Sequence, residues 1–235
     1  MAGEFLEPID GDVIVAPVEL NSFDRLDSHS RKCMYWQTNS GTHEYTRGST
    51  FEKEAWLSSV LLQWGVCAQV AEEFGRPVGS VTYAPPSNIA RVRAFPSGPV
   101  GSDAVLIADL HAHPDFDTKA RKDIRSLLLS AVVSDAAKRG VRALETFART
   151  EKGSERLETE FRGSEAKRHA GGPLTCLQED EFFLARGFEE VGKDPEFPRL
   201  RLEIDGEHLW KADVEHALDQ LIFEANMRPS AVNSQ

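Results

Sequence analysis

The sequence predicts an α/β fold, a mixed sheet covered by helices, because strand-like and helical apolar patterns alternate along the chain. Two runs carry most of that reading. Ala104–Leu110 (AVLIADL) is apolar almost without interruption, as befits a central strand covered on both faces. Ile124, Leu127, Leu128, Ala131, Val132 and Ala136 then recur at helical spacing. They predict a helix over about 120–139, closed by Gly140, the residue type that tolerates positive φ.

The remaining elements follow in order. Val13 to Val18 is strand-like, and a polar loop leads from it to Cys33-Met34-Tyr35-Trp36. Phe51, Ala55, Trp56, Val60 and Leu61 lie on one face of a helix that Gly65 ends. Residues 66–71 and 77–83 form a hairpin whose turn holds Gly75, and Pro85-Pro86 stops its second strand. Val141 to Ala148 is the strand after the long helix. Residues 149–172 are too polar to fill a core and read as a mobile loop within one domain. A short helix at 179–186, strands near 189–191 and 200–204, and a last helix carrying Trp210, Val214, Ala217, Leu218, Leu221 and Ile222 complete the chain. The organisation is an N-terminal extension with the first strand (1–50), a core (51–205) and a C-terminal helix and tail (206–235).

Composition excludes several functions. With a formal charge of −11 and only short basic clusters, the chain repels nucleic-acid backbones and anionic lipid, so neither is an expected partner. No apolar run reaches eighteen residues and the first twelve are acidic, which points to the cytoplasm. Cys33, Cys67 and Cys176 show no CxxC spacing, so neither a disulfide framework nor a zinc knuckle is expected. No glycine-rich Walker or Rossmann fingerprint is present.

Several segments, in order, resemble the GNAT acetyltransferase superfamily, and one actinobacterial branch of it in particular. They are CMYWQ (33–37), FEKEAWLSSVLLQWG (51–65), YAPP (83–86), AFPSGPV (94–100), KRGVRALETF (138–147), FFLARGF (182–188) and PRLRLEI (198–204). The resemblance spans about residues 50–205 and implies a mostly antiparallel central sheet flanked by helices, here with an additional C-terminal helix. It also implies acetyl-CoA as cosubstrate and an amine acceptor, a small molecule or a peptide, that the sequence does not identify. A homodimer is compatible with it. In such enzymes the central strand splays from its neighbour and its free backbone pairs with the pantetheine arm, which here implicates Asp109, Leu110, His111 and Ala112. Pyrophosphate then sits at the start of the long helix, where unpaired N–H groups and the dipole favour an anion.

This chain departs from the family there. Asp117-Thr-Lys-Ala-Arg-Lys-Asp-Ile-Arg125 stands where the family has Arg/Gln-x-x-Gly-x-Gly/Ala, and no glycine occurs between Gly101 and Gly140. Glycines let phosphate approach the backbone. Without them, Lys119, Arg121, Lys122 and Arg125 are the candidate phosphate ligands through their side chains; otherwise they are a solvated basic helix start. Phe183 stands where many members place a tyrosine near the departing thiolate, and phenylalanine has no proton to give. Asp109 is the candidate general base, or else a hydrogen-bonded carboxylate at a strand end.

Two other readings compete. Asp109-Leu-His111-Ala-His113 resembles the Asp-x-His-x-His start of a metal-hydrolase site, since alternate strand residues share a face. His169, His208 and His216 lie in a polar loop and near the terminal helix, so no metal ligand is assigned. A degenerate fold that binds a partner without catalysis is the other, favoured by the missing glycines and Phe183. Cys33 reads as a small buried residue before a nucleophile, and Trp36, Trp56 and Trp64 as core.

Overall fold

A computed structural model of the chain describes residues 13–39, 50–114, 116–160 and 173–204. Its elements are β1 (Ile14–Pro17), α1 (Thr50–Trp64), β2 (Ala68–Glu73), β3 (Arg76–Ala84), β4 (Ala104–Ala112), α2 (Thr118–Lys138), β5 (Ala143–Phe147), α3 (Glu151–Glu160), α4 (Pro173–Cys176), α5 (Asp180–Leu184), β6 (Glu189–Gly192) and β7 (Arg199–Glu203). The seven strands form one sheet in the order β1-β2-β3-β4-β5-β7-β6. Every neighbouring pair is antiparallel except β4 with β5, and a parallel pair needs a long crossover, which α2 supplies. This is the mixed, mostly antiparallel sheet flanked by helices that the sequence predicts.

Local chemistry accounts for the joints. The β2–β3 hairpin turns at Phe74 and Gly75, both at positive φ as a two-residue turn of this hand requires. Gly140, at φ +69°, follows α2 as expected. On one face of the sheet, Ile107, Leu110 and Leu144 pack with Ile124, Leu128 and Val132 of α2 and with Phe183 and Phe188. On the other, Leu106 and Phe147 pack with Tyr35, Trp36, Leu57 of α1, Phe95 and Phe197. The rings of Trp36, Phe95 and Phe147 stack there, and Trp36 Nε1 donates to the Cys176 carbonyl at 3.1 Å.

Where β5 meets β7, the Glu145 carboxylate is 1% exposed. It accepts from Arg199, from Arg201 at 2.9 Å and from the Gly101 N–H at 3.2 Å. A buried carboxylate is tolerated only when paired in this way.

The register of β3 against β4 slips once. Tyr83 faces Ile107 but Thr82 faces Asp109, so Ala108 is an extra residue on β4. The bulge shifts the alternation by one. Leu110 and Ala112 therefore join the α2 face, and Asp109 and His111 turn to the opposite one.

The sequence reading needs correction at 149–172, where Glu151–Glu160 forms helix α3 and not loop. The segment is polar because α3 buries only Gly153 and Leu157, and Gly153 passes so close to the chain that a Cβ there would lie 2.3 Å from the Glu196 carbonyl oxygen. The helix expected at 179–186 is shorter, with α4 a separate turn before it. Residues 161–172 and the terminal helix of 206–235 lie outside the described residues.

Gly79 gives a test of the β3–β4–α2 packing. A Cβ there would meet the His111 carbonyl oxygen at 2.7 Å and Ile124 Cγ2 at 2.8 Å. Gly79→Ala is expected to lower stability by about 1–3 kcal/mol, the range for overpacking a filled core. Denaturant unfolding would show this as a lower midpoint at unchanged slope; an unchanged midpoint would contradict the close approach.

Candidate functional site

The site begins where β4 loses a partner. Parallel pairing with β5 runs only from Ala104↔Ala143 to Leu106↔Glu145, and Thr146 Oγ1 then donates to the Ile107 carbonyl at 3.1 Å. Past that point β5 hands over to the segment after α4: Arg149 N–H donates to Gln178 O at 2.9 Å and Asp180 N–H to Arg149 O at 3.1 Å. The last residues of β4 stay paired with β3 alone. A cavity of about 580 Å³ opens at this end, between His111–Pro114, the start of α2 and the segment from Leu174 to Arg186.

One wall of the cavity is a helical turn capped by Asp27. The Oδ1 of Asp27 accepts from the N–H groups of His29 and Ser30 at 2.8 and 3.2 Å, the satisfaction an N-terminal turn requires. Its Oδ2 forms an ion pair with His111 Nε2 at 3.0 Å. Ser30 Oγ lies 2.7 Å from Ser80 Oγ and 3.4 Å from His111 Nδ1, which ties the turn to β3 and β4. Burial by itself would lower the pKa of His111, but the charge and hydrogen bond of Asp27, together with Asp109 and Cys33, raise it to about 9. Burial would likewise raise Asp27, and the imidazolium instead holds it well below the usual carboxylate range.

His29 stands on this wall, and Cys33, Cys176 and Asp109 lie behind it; all four are buried. The two sulfurs are 3.3 Å apart and Cys176 Sγ is 3.6 Å from His29 Nε2. Cys33 is held well below the ordinary thiol range by the hydrogen bond from Cys176, while Cys176 is pushed well above it by burial and by that same neighbour. Burial raises Asp109, against the pull of His111 and His29, and neither carboxylate oxygen has a hydrogen-bond partner among the described residues.

The opposite wall is cationic, yet most of its cations are occupied. Glu179 pairs with both Arg149 and Arg125, and Arg125 also donates to Gln178. The guanidinium groups of Arg125 and Arg186 lie 4.7 and 3.7 Å from the Phe182 ring centre, within cation–π range. Arg186 also donates to the Phe182 carbonyl at 2.7 Å and to Ser126 Oγ. Arg121 and Lys122 line the cavity without an ion pair among the described residues. The start of α2 carries its own carboxylate: Asp117 Oδ1 accepts from the Ala120 N–H at 2.8 Å.

Of the residues singled out from sequence, His111, Ala112, Arg121, Lys122 and Arg125 are on the cavity wall. Arg125 is there with its charge already paired. Lys119 is off the wall: its side chain is 88% exposed and pairs with Asp123 at 3.0 Å. Leu110 points into the α2 core and does not line the cavity. Asp109 is buried behind His111, its Oδ1 4.0 Å from Nδ1, and does not line the cavity. His113 follows the strand and its N–H donates to Val78 O at 2.8 Å. Among the described residues, three metal-ligand atoms converge at His29, Cys33 and Cys176, a group to which neither His111 nor His113 belongs. Asp27, His29, Arg149 and Arg186 were not legible as site residues, because long-range folding alone brings them to β4.

No protein-family model matches the chain, and no curated protein matches it in sequence. Among solved structures it is similar to an N-acetyltransferase from Staphylococcus aureus Mu50, at 16% identity and TM-score 0.48, covering 83% of this chain and 99% of that one. An aminoglycoside 6′-acetyltransferase type Ii shares 15% identity at TM-score 0.49, with 82% and 97% covered. A GNAT-like decarboxylase, GphF, in complex with isobutyryl-CoA shares 17% identity at TM-score 0.49, with 82% and 100% covered.

The Glu179 clamp carries a pH dependence. Burial would raise the Glu179 carboxyl, but Arg149 and Arg125 outweigh it and lower it below the usual glutamate range. A depressed carboxyl contributes stability that is present above its unfolded pKa, about 4.3, and is lost as pH falls through the folded value. Thermal melting from neutral pH downward should therefore fall less steeply below about pH 4 in Glu179→Gln than in wild type. Parallel curves would show that the clamp adds nothing.

Proposed function

We propose that the chain is an acyl-CoA-dependent N-acyltransferase of the GNAT type, taking acetyl-CoA as cosubstrate and passing its acyl group to an amine. The separation of β4 from β5 beyond Leu106 carries this reading, because it leaves strand backbone unpaired beside a cavity large enough for a thioester arm. Beyond Ile107, whose carbonyl accepts from Thr146 Oγ1, residues 108–112 have no strand partner on that side among the described residues, and the backbone at His111 and Ala112 on the cavity wall offers N–H and C=O groups in the extended spacing that pairs with a diamide such as pantetheine. N–H groups on that edge would also polarise the thioester carbonyl as the amine attacks.

The phosphate end rests on side chains. The capping carboxylate of Asp117 already takes one of the helix-start N–H donors and repels an anion, so Arg121 and Lys122 supply the charge. Proton transfer falls to His111, the imidazole on the cavity wall, positioned by Asp27. Asp109 acts on that proton only through His111, behind which it lies. One observation favours a non-catalytic binding module instead: Phe183 is buried in the α2 core and brings no proton to the site.

Calorimetry with acetyl-CoA should show binding that weakens as salt rises, since the cations that meet the phosphates are exposed and screened. The double variant Arg121→Ala/Lys122→Ala should weaken it further, by about tenfold or more, because both charge-assisted hydrogen bonds to phosphate are removed, while Lys119→Ala leaves it unchanged. No binding at millimolar ligand and low salt would end the acyltransferase reading.

With an amine acceptor in hand, His111→Gln should lower kcat by about 10²-fold, the low end for a lost acid–base group, with KM for acetyl-CoA nearly unchanged. Measurable acetyl-CoA binding without turnover across an amine panel would favour the binding module.

A further inference from the structure

We propose that His29, Cys33 and Cys176 form a binding site for a zinc-class divalent ion, with the fourth position open. The site does not depend on the acyl-transfer reading. Its sulfurs lie behind the cavity wall and His29 on it, and proton transfer at His111 leaves all three without a role.

The donor set comes first. Nε2 or Nδ1 of His29 and the two sulfurs lie within 4.8 Å of one another, and all three residues are buried. In a tetrahedral site with Zn–S near 2.3 Å and Zn–N near 2.0–2.1 Å, two sulfurs stand about 3.8 Å apart and a sulfur and a nitrogen about 3.6 Å. Cys176 Sγ and His29 Nε2 already stand at 3.6 Å. The sulfurs, at 3.3 Å, need only move apart by a few tenths of an ångström.

The backbone arranges the ligands in the manner of a structural metal site. His29 and Cys33 are four residues apart on one helical turn, with the Cys33 N–H donating to His29 O at 2.8 Å, so both side chains leave the same face. Cys176 arrives at the end of α4, from a distant part of the chain. Its carbonyl is held by Trp36 and Asp27 caps the turn, so both ligand-bearing segments are fixed independently of any ion.

Zn2+ with two thiolates and a neutral imidazole carries no net charge, so the buried group compensates the ion by itself. Asp109 is not a member of the group: its side chain is 2% exposed and its Oδ1 lies 4.0 Å from His111 Nδ1. A pair of inert apolar thiols would not need the imidazole. On binding, the two S–H protons pass to solvent and two metal–sulfur bonds form. The ion would join the 28–33 turn to α4 and so fix the rear of the cavity.

The test is metal analysis of the full chain purified under reducing conditions without chelator. One zinc per chain is expected. Replacement by Co2+ should give the thiolate-to-cobalt band and the intense visible bands of a tetrahedral site. Cys33→Ser and Cys176→Ser should lose both, and Cys67→Ala should keep full occupancy. Should the cysteine variants fold poorly, wild type decides the matter: a chelator should remove the zinc and lower the melting temperature, and added Zn2+ should restore both. Substoichiometric zinc in the reduced chain would overturn the proposal. So would a cobalt spectrum without the thiolate band, or an untreated chain lighter by two hydrogens with Cys33 joined to Cys176.

Discussion

The single extra residue in β4, Ala108, is the constraint on which the site depends. Before it, Leu106 and Ala108 face the Trp36 core while Ile107 faces α2; after it, the phase is reversed. Without the bulge, Asp109 and His111 would point at the α2 helix, among the apolar side chains of Ile124 and Leu128. With it, they meet Asp27 and His29. The bulge also stands where β5 leaves the sheet, since β4–β5 pairing ends two residues earlier. One local irregularity therefore both orients the polar groups and sits beside the point where β5 leaves the sheet, next to the candidate site, a common position for bulges.

The elements whose burial is one-sided or complete were legible in the sequence. The AVLIADL run and the helical recurrence from Ile124 to Ala136 became β4 and α2 because apolar period is set by which face is covered. Helix α3 was not legible, because it buries little besides Leu157 and is held by ties such as Thr150 Oγ1 donating to Pro195 O at 2.8 Å. The site was legible only in part. His111, Arg121 and Lys122 follow from position along β4 and α2, but the bulge leaves no mark, since alanine suits either face. The meeting of Cys33 with Cys176 is likewise invisible to spacing, because no local motif links residues so far apart.

Electrostatics divides the cavity into engaged and available charge. Arg125, Arg149 and Arg186 are engaged by Glu179, Ser126, Ser154 and the Phe182 ring, so they act as scaffolding that fixes α5 against α2. Arg121 and Lys122 face the opening with no such partner among the described residues. An anion entering here meets two mobile cations rather than a rigid cradle of amides, and it competes with Asp117 for the helix start. Recognition of this kind selects charge more than shape.

The buried Glu145 network has a consequence for assembly of the sheet. Arg199 and Arg201 lie two residues apart on β7, so both side chains project on one face and close on the same carboxylate. Sliding β7 by one residue would send both guanidinium groups to the other face and leave Glu145 ionised in a dry interior; sliding it by two would keep at most one of them. A one-residue slip thus carries an unpaired buried charge and a two-residue slip an incompletely paired one, a larger penalty than the small differences in apolar packing that distinguish neighbouring registers. The last strand pair is in this way proofread by charge, and a chain collapsing out of register has a strong reason to let go and try again.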